Sequence, residues 1–265
     1  MRRPPPLRAL LDALATFAMF AAFGLLAAMV LAACSGKRLE AAPERSSATK
    51  HAMPDPEPAV PSIAVAPVAT DRLCVTKGAA VIGRTVTEPT MRAVALGSSG
   101  DAAALRFIFR GETEVSRELA SGEARRQLGL KLRAQDGCNL VYVMWRLDPK
   151  PSLEVSLKRN PGMRNHRECG ANGYARVKPA TRAPVPALAP GAEHTLRAEI
   201  SGEDLLAWID DHLVWRGPLP AGARALAGPA GLRSDNLSFD LVAFSAPPAG
   251  SSAAAPAKCS PEHGD

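Results

Sequence analysis

The chain predicts an all-β domain built as a sandwich or barrel of antiparallel strands. Apolar residues recur with a period of two, turn signals separate the recurring segments, and beyond residue 71 helical periodicity is confined to a turn or two between Ser116 and Arg126. A strand that buries one face alternates in this way because successive side chains point to opposite sides of the pleat.

Taken in order, Leu105, Phe107 and Phe109 alternate with Arg106, Ile108 and Arg110, and Leu128, Leu130 and Leu132 alternate with Gly129, Lys131 and Arg133. After a turn at Asp136-Gly137, the residues Val141, Val143, Trp145 and Leu147 alternate with Tyr142, Met144 and Arg146. Leu153, Val155 and Leu157 alternate with Glu154, Ser156 and Lys158. Farther on, 193–200 reads as a strand, 201–204 as a turn, and Leu205 to Asp210 with Leu213 to Arg216 as a hairpin around Asp210-Asp211-His212. Ala230-Gly231-Leu232-Arg233 follows a loop rich in Gly, Pro and Ala. A turn at Ser234-Asp235-Asn236 then precedes a last strand from Leu237 to Phe244.

His194, Thr195, Leu196, Gly202, Asp211, Val214, Trp215, Gly228, Gly231, Leu232, Arg233, Phe239 and Asp240 fall in the order His-Thr-Leu, Gly, Asp-x-x-Val-Trp, Gly-x-x-Gly-Leu-Arg, Phe-Asp. That order resembles the end of concanavalin A-like jelly rolls of the laminin G-like and 3-keto-disaccharide hydrolase-like kind, with His212 where their hairpin carries Gly. The resemblance covers about 55 residues and implies a jelly-roll sandwich of two antiparallel sheets; it implies no one activity, because this fold serves lectins, lyases, hydrolases and interaction modules.

The amino-terminal segment has the layout of an export signal: Arg2, Arg3 and Arg8, an apolar run, then small residues. Leu31-Ala32-Ala33-Cys34 resembles the bacterial lipobox, which implies cleavage before Cys34 and a palmitate-bearing acyl anchor on it. The apolar run of about twenty residues also approaches the length of a membrane span, and in that alternative it stays uncleaved. Ser35 is not Asp, so by resemblance to the enterobacterial sorting rule the destination is the outer membrane. The expected layout is a signal over 1–33, a Pro- and Ala-rich tether over 34–70, a β-sandwich over 71–246, and a disordered tail over 247–265, the tether having too little apolar surface to offset its ordering entropy.

Five cysteines leave four once Cys34 is set aside: Cys74, Cys138, Cys169 and Cys259. An even number in an exported chain suits two disulfides. Three pairings exist, and Cys138 with Cys169 and Cys74 with Cys259 is the favoured one, the second bond tying the ends of the domain. The alternative, a metal held by Cys138, His166 and Cys169, lacks a C-x-x-C and a second nearby His. His166-Arg167-Glu168 spells the H-x-E of zinc deaminases without the partner P-C-x-x-C.

The net charge of +6 falls to +4 once Arg2, Arg3, Arg8 and Asp12 are removed with the signal. There is no Lys/Arg run with interleaved aromatics, so a nucleic-acid partner is not expected. Lys131, Arg133, Tyr142, Arg146 and Lys158, with Arg106 and Arg110, share the polar face of their strands. They are the candidate ligand-binding set for an acidic polysaccharide, through charge-assisted hydrogen bonds and ring stacking. The plainer reading of the same residues is a solvated, aggregation-resistant sheet face.

Glu112 and Glu114 fall two apart on a strand and Glu118 follows, but a charged turn explains them better than a glycosidase pair. Phosphate loops, G-x-S-x-G elbows and H-E-x-x-H are absent, so no catalytic residue, metal or cofactor is assigned. Asn160 to His166, running up to Cys169, reads as a pinned rim loop. Trp145 and Trp215 read as core, and Trp208 as the tryptophan nearest the surface. The expected function is an envelope lipoprotein whose sandwich binds carbohydrate or another envelope component without catalysis. The alternatives are a glycan-cleaving enzyme and a structural module on the same fold.

Overall fold

A computed structural model of the chain describes residues 62–250 and 259. The expectations for residues 1–33, for Cys34 and for most of the tether lie outside the described residues, as does most of the tail. Among the described residues no helix is long and apolar enough to cross a membrane.

The strands in chain order are β1 (Ala66–Pro67), β2 (Leu73–Lys77), β3 (Thr85–Val86), β4 (Thr90–Ala95), β5 (Ala102–Glu112), β6 (Gln127–Leu132), β7 (Leu140–Arg146) and β8 (Ser152–Lys158). A single helical turn, α1 (His166–Cys169), leads to β9 (Tyr174–Val177), β10 (Thr181–Arg182), β11 (Glu193–Ser201), β12 (Asp204–Ile209) and β13 (His212–Pro218). A second short turn, α2 (Ala221–Arg224), precedes β14 (Gly231–Asp235) and β15 (Leu237–Ala246).

They form two sheets. One runs β1-β15-β5-β11-β12-β13-β10 with β3 paired to β15; the other runs β2-β4-β14-β6-β7-β8-β9. Neighbours that are distant in sequence, such as β4 beside β14 and β5 beside β15, are the long crossings of a jelly roll, and the pairings are antiparallel. The fold is a jelly-roll β-sandwich of two antiparallel sheets, as the alternation and the carboxy-terminal resemblance predict.

The core lies between the sheets and is made of the apolar half of each alternation: Leu105 and Phe107 from β5, Leu128, Leu130 and Leu132 from β6, Val141, Val143 and Trp145 from β7, and Leu196 and Ala198 from β11. Phe107 meets Trp145 and Phe239 edge to face, at centroid distances of 5.9 and 6.1 Å. Such contacts add about 1 kcal/mol beyond area burial. A register shift between Leu241 and Ala243 lets β15 place Phe244, three residues on from Leu241, back in the core. Trp145 and Trp215 are buried, and Trp208 is half-buried.

Local chemistry explains the sharp corners. Asp210 and Asp211 both take positive φ, 49° and 64°, and form the two-residue turn between β12 and β13. The Asp210 carboxylate accepts from Thr195 N at 2.8 Å and lies 2.7 Å from His194 Nδ1, so the turn is stitched to β11. Both favoured disulfides are present, Cys74–Cys259 and Cys138–Cys169. With Cys138 and Cys169 bonded to each other, the metal alternative at those residues fails, and among the described residues no group of His, Cys, Asp or Glu could hold a metal ion.

Several expectations are corrected. The segment between Ser116 and Arg126 is an irregular loop and not a helical turn, because its backbone bonds close a local turn at Gly122 and otherwise reach other parts of the domain. Ser234 and Asp235 belong to β14, which leaves Asn236 alone as the corner. The chain joins the sandwich before Asp71, through the β1–β15 pair, and stays attached after Ala246 through the Ser98–Pro248 bridge. Arg106 and Arg110 lie on β5, in the other sheet from Lys131 and Tyr142, so the supposed common face is divided between two sheets.

Candidate functional site: a basic groove on the seven-stranded sheet

The outward side chains of the seven-stranded sheet stand in rows set by register. One row reads Thr90, Asp235, Gln127, Arg146, and the next reads Arg92, Arg233, Gly129, Met144, Glu154. A third reads Val94, Gly231, Lys131, Tyr142, Ser156, Arg176. Above these rows lies a groove of about 470 Å³, lined also by residues 118–121 and Arg125 and by His166, Gly170 and Ala171 at and just after α1.

Under the groove sits a buried ion cluster. The Asp235 carboxylate accepts from Arg92 Nη2 at 2.6 Å, from Arg233 Nε at 2.9 Å and from Gln127 Nε2 at 2.7 Å. Arg92 Nη1 donates to the carbonyls of Ser234 at 2.7 Å and Met91 at 2.9 Å, and so ties β4 to β14. Burial pushes the Asp235 carboxyl up, but the Arg233 and Arg92 charges and the Gln127 amide outweigh it and hold the carboxyl below its ordinary value. Both arginines reach the groove lining from this scaffold.

An aromatic ladder continues from the cluster. The Arg233 guanidinium lies 5.0 Å from the Tyr142 ring centroid, Tyr142 stacks on Tyr174 at 6.0 Å and 19°, and Lys158 Nζ lies 5.3 Å from the Tyr174 ring. Tyr142 is buried, whereas Tyr174 keeps 44% of its surface exposed at the end of the ladder. Glu154 accepts from Arg146 at 2.8 Å and from Arg176 at 3.0 Å, one carboxylate oxygen to each.

Of the five residues expected to bind ligand, Tyr142 and Arg146 line this groove. Lys131 and Lys158 are fully buried on the same sheet, Lys158 donating to Gly137 O at 2.9 Å, and so stand as supports and not as contacts. Arg133 takes φ 46° just past β6 and turns to a different hollow, bonded to Asp101 at 2.7 Å and to Arg224 O at 2.9 Å. Glu112 bonds Arg126 and Glu114 is exposed, so they form no cleft pair. The loop 160–166 is fastened by Asn139 and by the Cys138–Cys169 bond, and its end supplies His166 to the groove rim.

Lys77, Arg92, Arg125, Tyr174, Arg176 and Arg233 are groove residues that the sequence reading did not single out for the site. Gly231, Arg233 and Asp235 do alternate with Leu232 and Ser234 as a strand would. Reading Ser234 to Asn236 as a turn concealed that Arg233 and Asp235 share one face.

The fold and this groove define a jelly-roll β-sandwich with a basic, aromatic-edged cleft on one sheet. No family model matches the chain, and no curated protein matches it. Among solved structures it is similar to a carbohydrate-binding module from Bacillus subtilis, with a TM-score of 0.44, 11% identity, and coverage of 65% of this chain and 91% of that one. It is also similar to the carbohydrate recognition domain of Emp46p, with a TM-score of 0.41, 13% identity, and coverage of 66% and 87%. A Caenorhabditis elegans galectin gives a TM-score of 0.36, 8% identity, and coverage of 63% and 98%.

Proposed function

We propose that the groove binds an acidic polysaccharide and does so without catalysis, with the chain anchored in the cell envelope through an acylated Cys34. The observation that carries the binding reading is the balance of charge around one cleft: Lys77, Arg92, Arg125, Arg146, Arg176 and Arg233 line it with Glu118 and Glu154, and Asp235 lies beneath, so the bases still outnumber the acids. Arginine pairs bidentately with carboxylate and sulfate-like groups, and the exposed ring of Tyr174 offers an apolar platform for the flat face of a sugar. The acids fit the non-catalytic reading. Glu154 is engaged by two arginines and Asp235 by two arginines and an amide, so neither is placed as a lone proton donor.

The test is retention of the full-length protein, in detergent, on immobilised polygalacturonate, hyaluronan and heparin as salt is raised. Retention that weakens steeply with salt, and that Arg176→Ala weakens further, supports the reading; no retention on any of the three at low salt overturns it. Mass spectrometry of the amino-terminal peptide tests the anchor: a diacylated or triacylated Cys34 supports it and an unmodified thiol removes it.

A further inference from the structure

We propose that Asn236 is the positioning residue of the groove's wall: its side-chain amide locks the neck of the 113–126 loop and thereby sets how tightly the groove holds a ligand. This rests on the acidic-glycan reading for the ligand and on the fold alone for the lock.

The chain crosses from one sheet to the other at Asn236 in a single residue, between β14 and β15. On one side Leu237 pairs with Glu112, the last residue before the loop; on the other Asp235 pairs with Gln127, the first residue after it. Both ends of the loop therefore converge on residue 236, which makes 113–126 an Ω-loop with Asn236 in its throat. The Asn236 side chain is spent on that throat. Its Oδ1 accepts from Arg117 N at 2.7 Å, and its Nδ2 donates to Arg117 O at 2.9 Å and to Arg125 O at 2.8 Å. Its backbone carbonyl accepts from Thr113 N at 3.4 Å, and its own N–H donates to Pro89 O at 2.9 Å.

The residue type follows from two demands. A φ of 55° suits Gly, Asn or Asp. One acceptor and two donors facing an N–H and two carbonyls suit an amide and not a carboxylate. Within the loop, Leu119 N bonds to Glu123 O and Gly122 N to Leu119 O, so the tip is internally closed and moves with the neck. That tip supplies Glu118, Leu119, Ala120 and Ser121 to the groove, and the far limb supplies Arg125. Asp235 holds the groove floor and its neighbour Asn236 holds the wall, so consecutive residues align the two.

The experiment uses full-length protein with Asn236→Gly, which keeps the positive φ and removes the amide, and Asn236→Asp, which keeps the acceptor and puts a charge against two carbonyls. Native-state trypsin cleavage after Arg117, Arg125 and Arg126 reads the loop, and binding of polygalacturonate and heparin oligosaccharides reads the groove. Both variants are expected to fold, to be cut about tenfold faster and to bind about tenfold more weakly, as expected for losing neutral hydrogen bonds. Saturating glycan slows the cutting of wild type and variants alike, a response that a purely structural clamp would not give. Unchanged cleavage overturns the lock, and faster cleavage with unchanged affinity overturns the wall's part in binding. If wild-type protein holds neither glycan, the acidic-glycan reading fails while the cleavage rates still decide the lock.

Discussion

Asp235 and Arg92 meet at 2.6 Å on the outward face of a sheet, with side-chain exposures of 1% and 4%. A face whose alternation predicts solvent instead holds a closed ion cluster, and the cluster scaffolds the groove. Asp235→Asn leaves Arg92 and Arg233 buried without their counter-charge, and breaking a buried pair in this way costs about 3 kcal/mol or more. Chemical denaturation should show that loss, and Gln127→Ala, which removes a neutral partner, should show about a third of it.

The same carboxylate dictates an acid response. Its folded value lies below the ordinary carboxylate value, so its contribution is complete above about pH 5 and is lost as pH falls through the ordinary and then the depressed folded value. Thermal melts of wild type and Asp235→Asn should differ by a constant amount from neutral pH to about pH 5 and converge in more acidic solution. A difference that grows on acidification would contradict the cluster's electrostatics.

Tyr174 separates recognition from stability. It is the exposed end of the Tyr142–Tyr174 stack, so Tyr174→Ala should move the melting temperature little and weaken glycan binding about fivefold, or roughly 1 kcal/mol. Isothermal titration with polygalacturonate oligosaccharides reads the affinity. Tyr142→Ala, at a buried position, should lower both.

The Cys138–Cys169 bond closes a span of 31 residues and holds α1 beside the groove. Replacing both cysteines with Ala should cost about 3.7 kcal/mol on the chain-entropy account, roughly 10 °C for a domain of this size. Proteolysis within 160–170 should quicken in the same variant. Scanning calorimetry and limited digestion together check both effects.

The two-sheet sandwich was legible in the order of residues because burial of one strand face leaves a period of two that no distant contact is needed to produce. Leu105, Phe107, Leu128, Leu130, Val141, Val143 and Trp145 all lie in the core that their alternation predicts. The nested disulfides were legible as well, since Cys138 and Cys169 flank one loop and Cys74 and Cys259 flank the domain. The composition of the binding face was legible only in part: Tyr142 and Arg146 reach the groove, while Lys131 and Lys158 are buried on the same sheet.

What the linear order determined is local and periodic: strand alternation, core face, and turn chemistry at Asp210 and Asp211. Tertiary structure alone decided which strands became neighbours. Placing β14 between β4 and β6 brought Arg92, Gln127, Arg233 and Asp235 into contact across separations of up to 143 residues. The same crossing put Asn236 at the throat of a distant loop. Pairing between strands far apart in sequence leaves no periodic trace, because each strand's alternation reports only which face it buries and never which strand lies beside it.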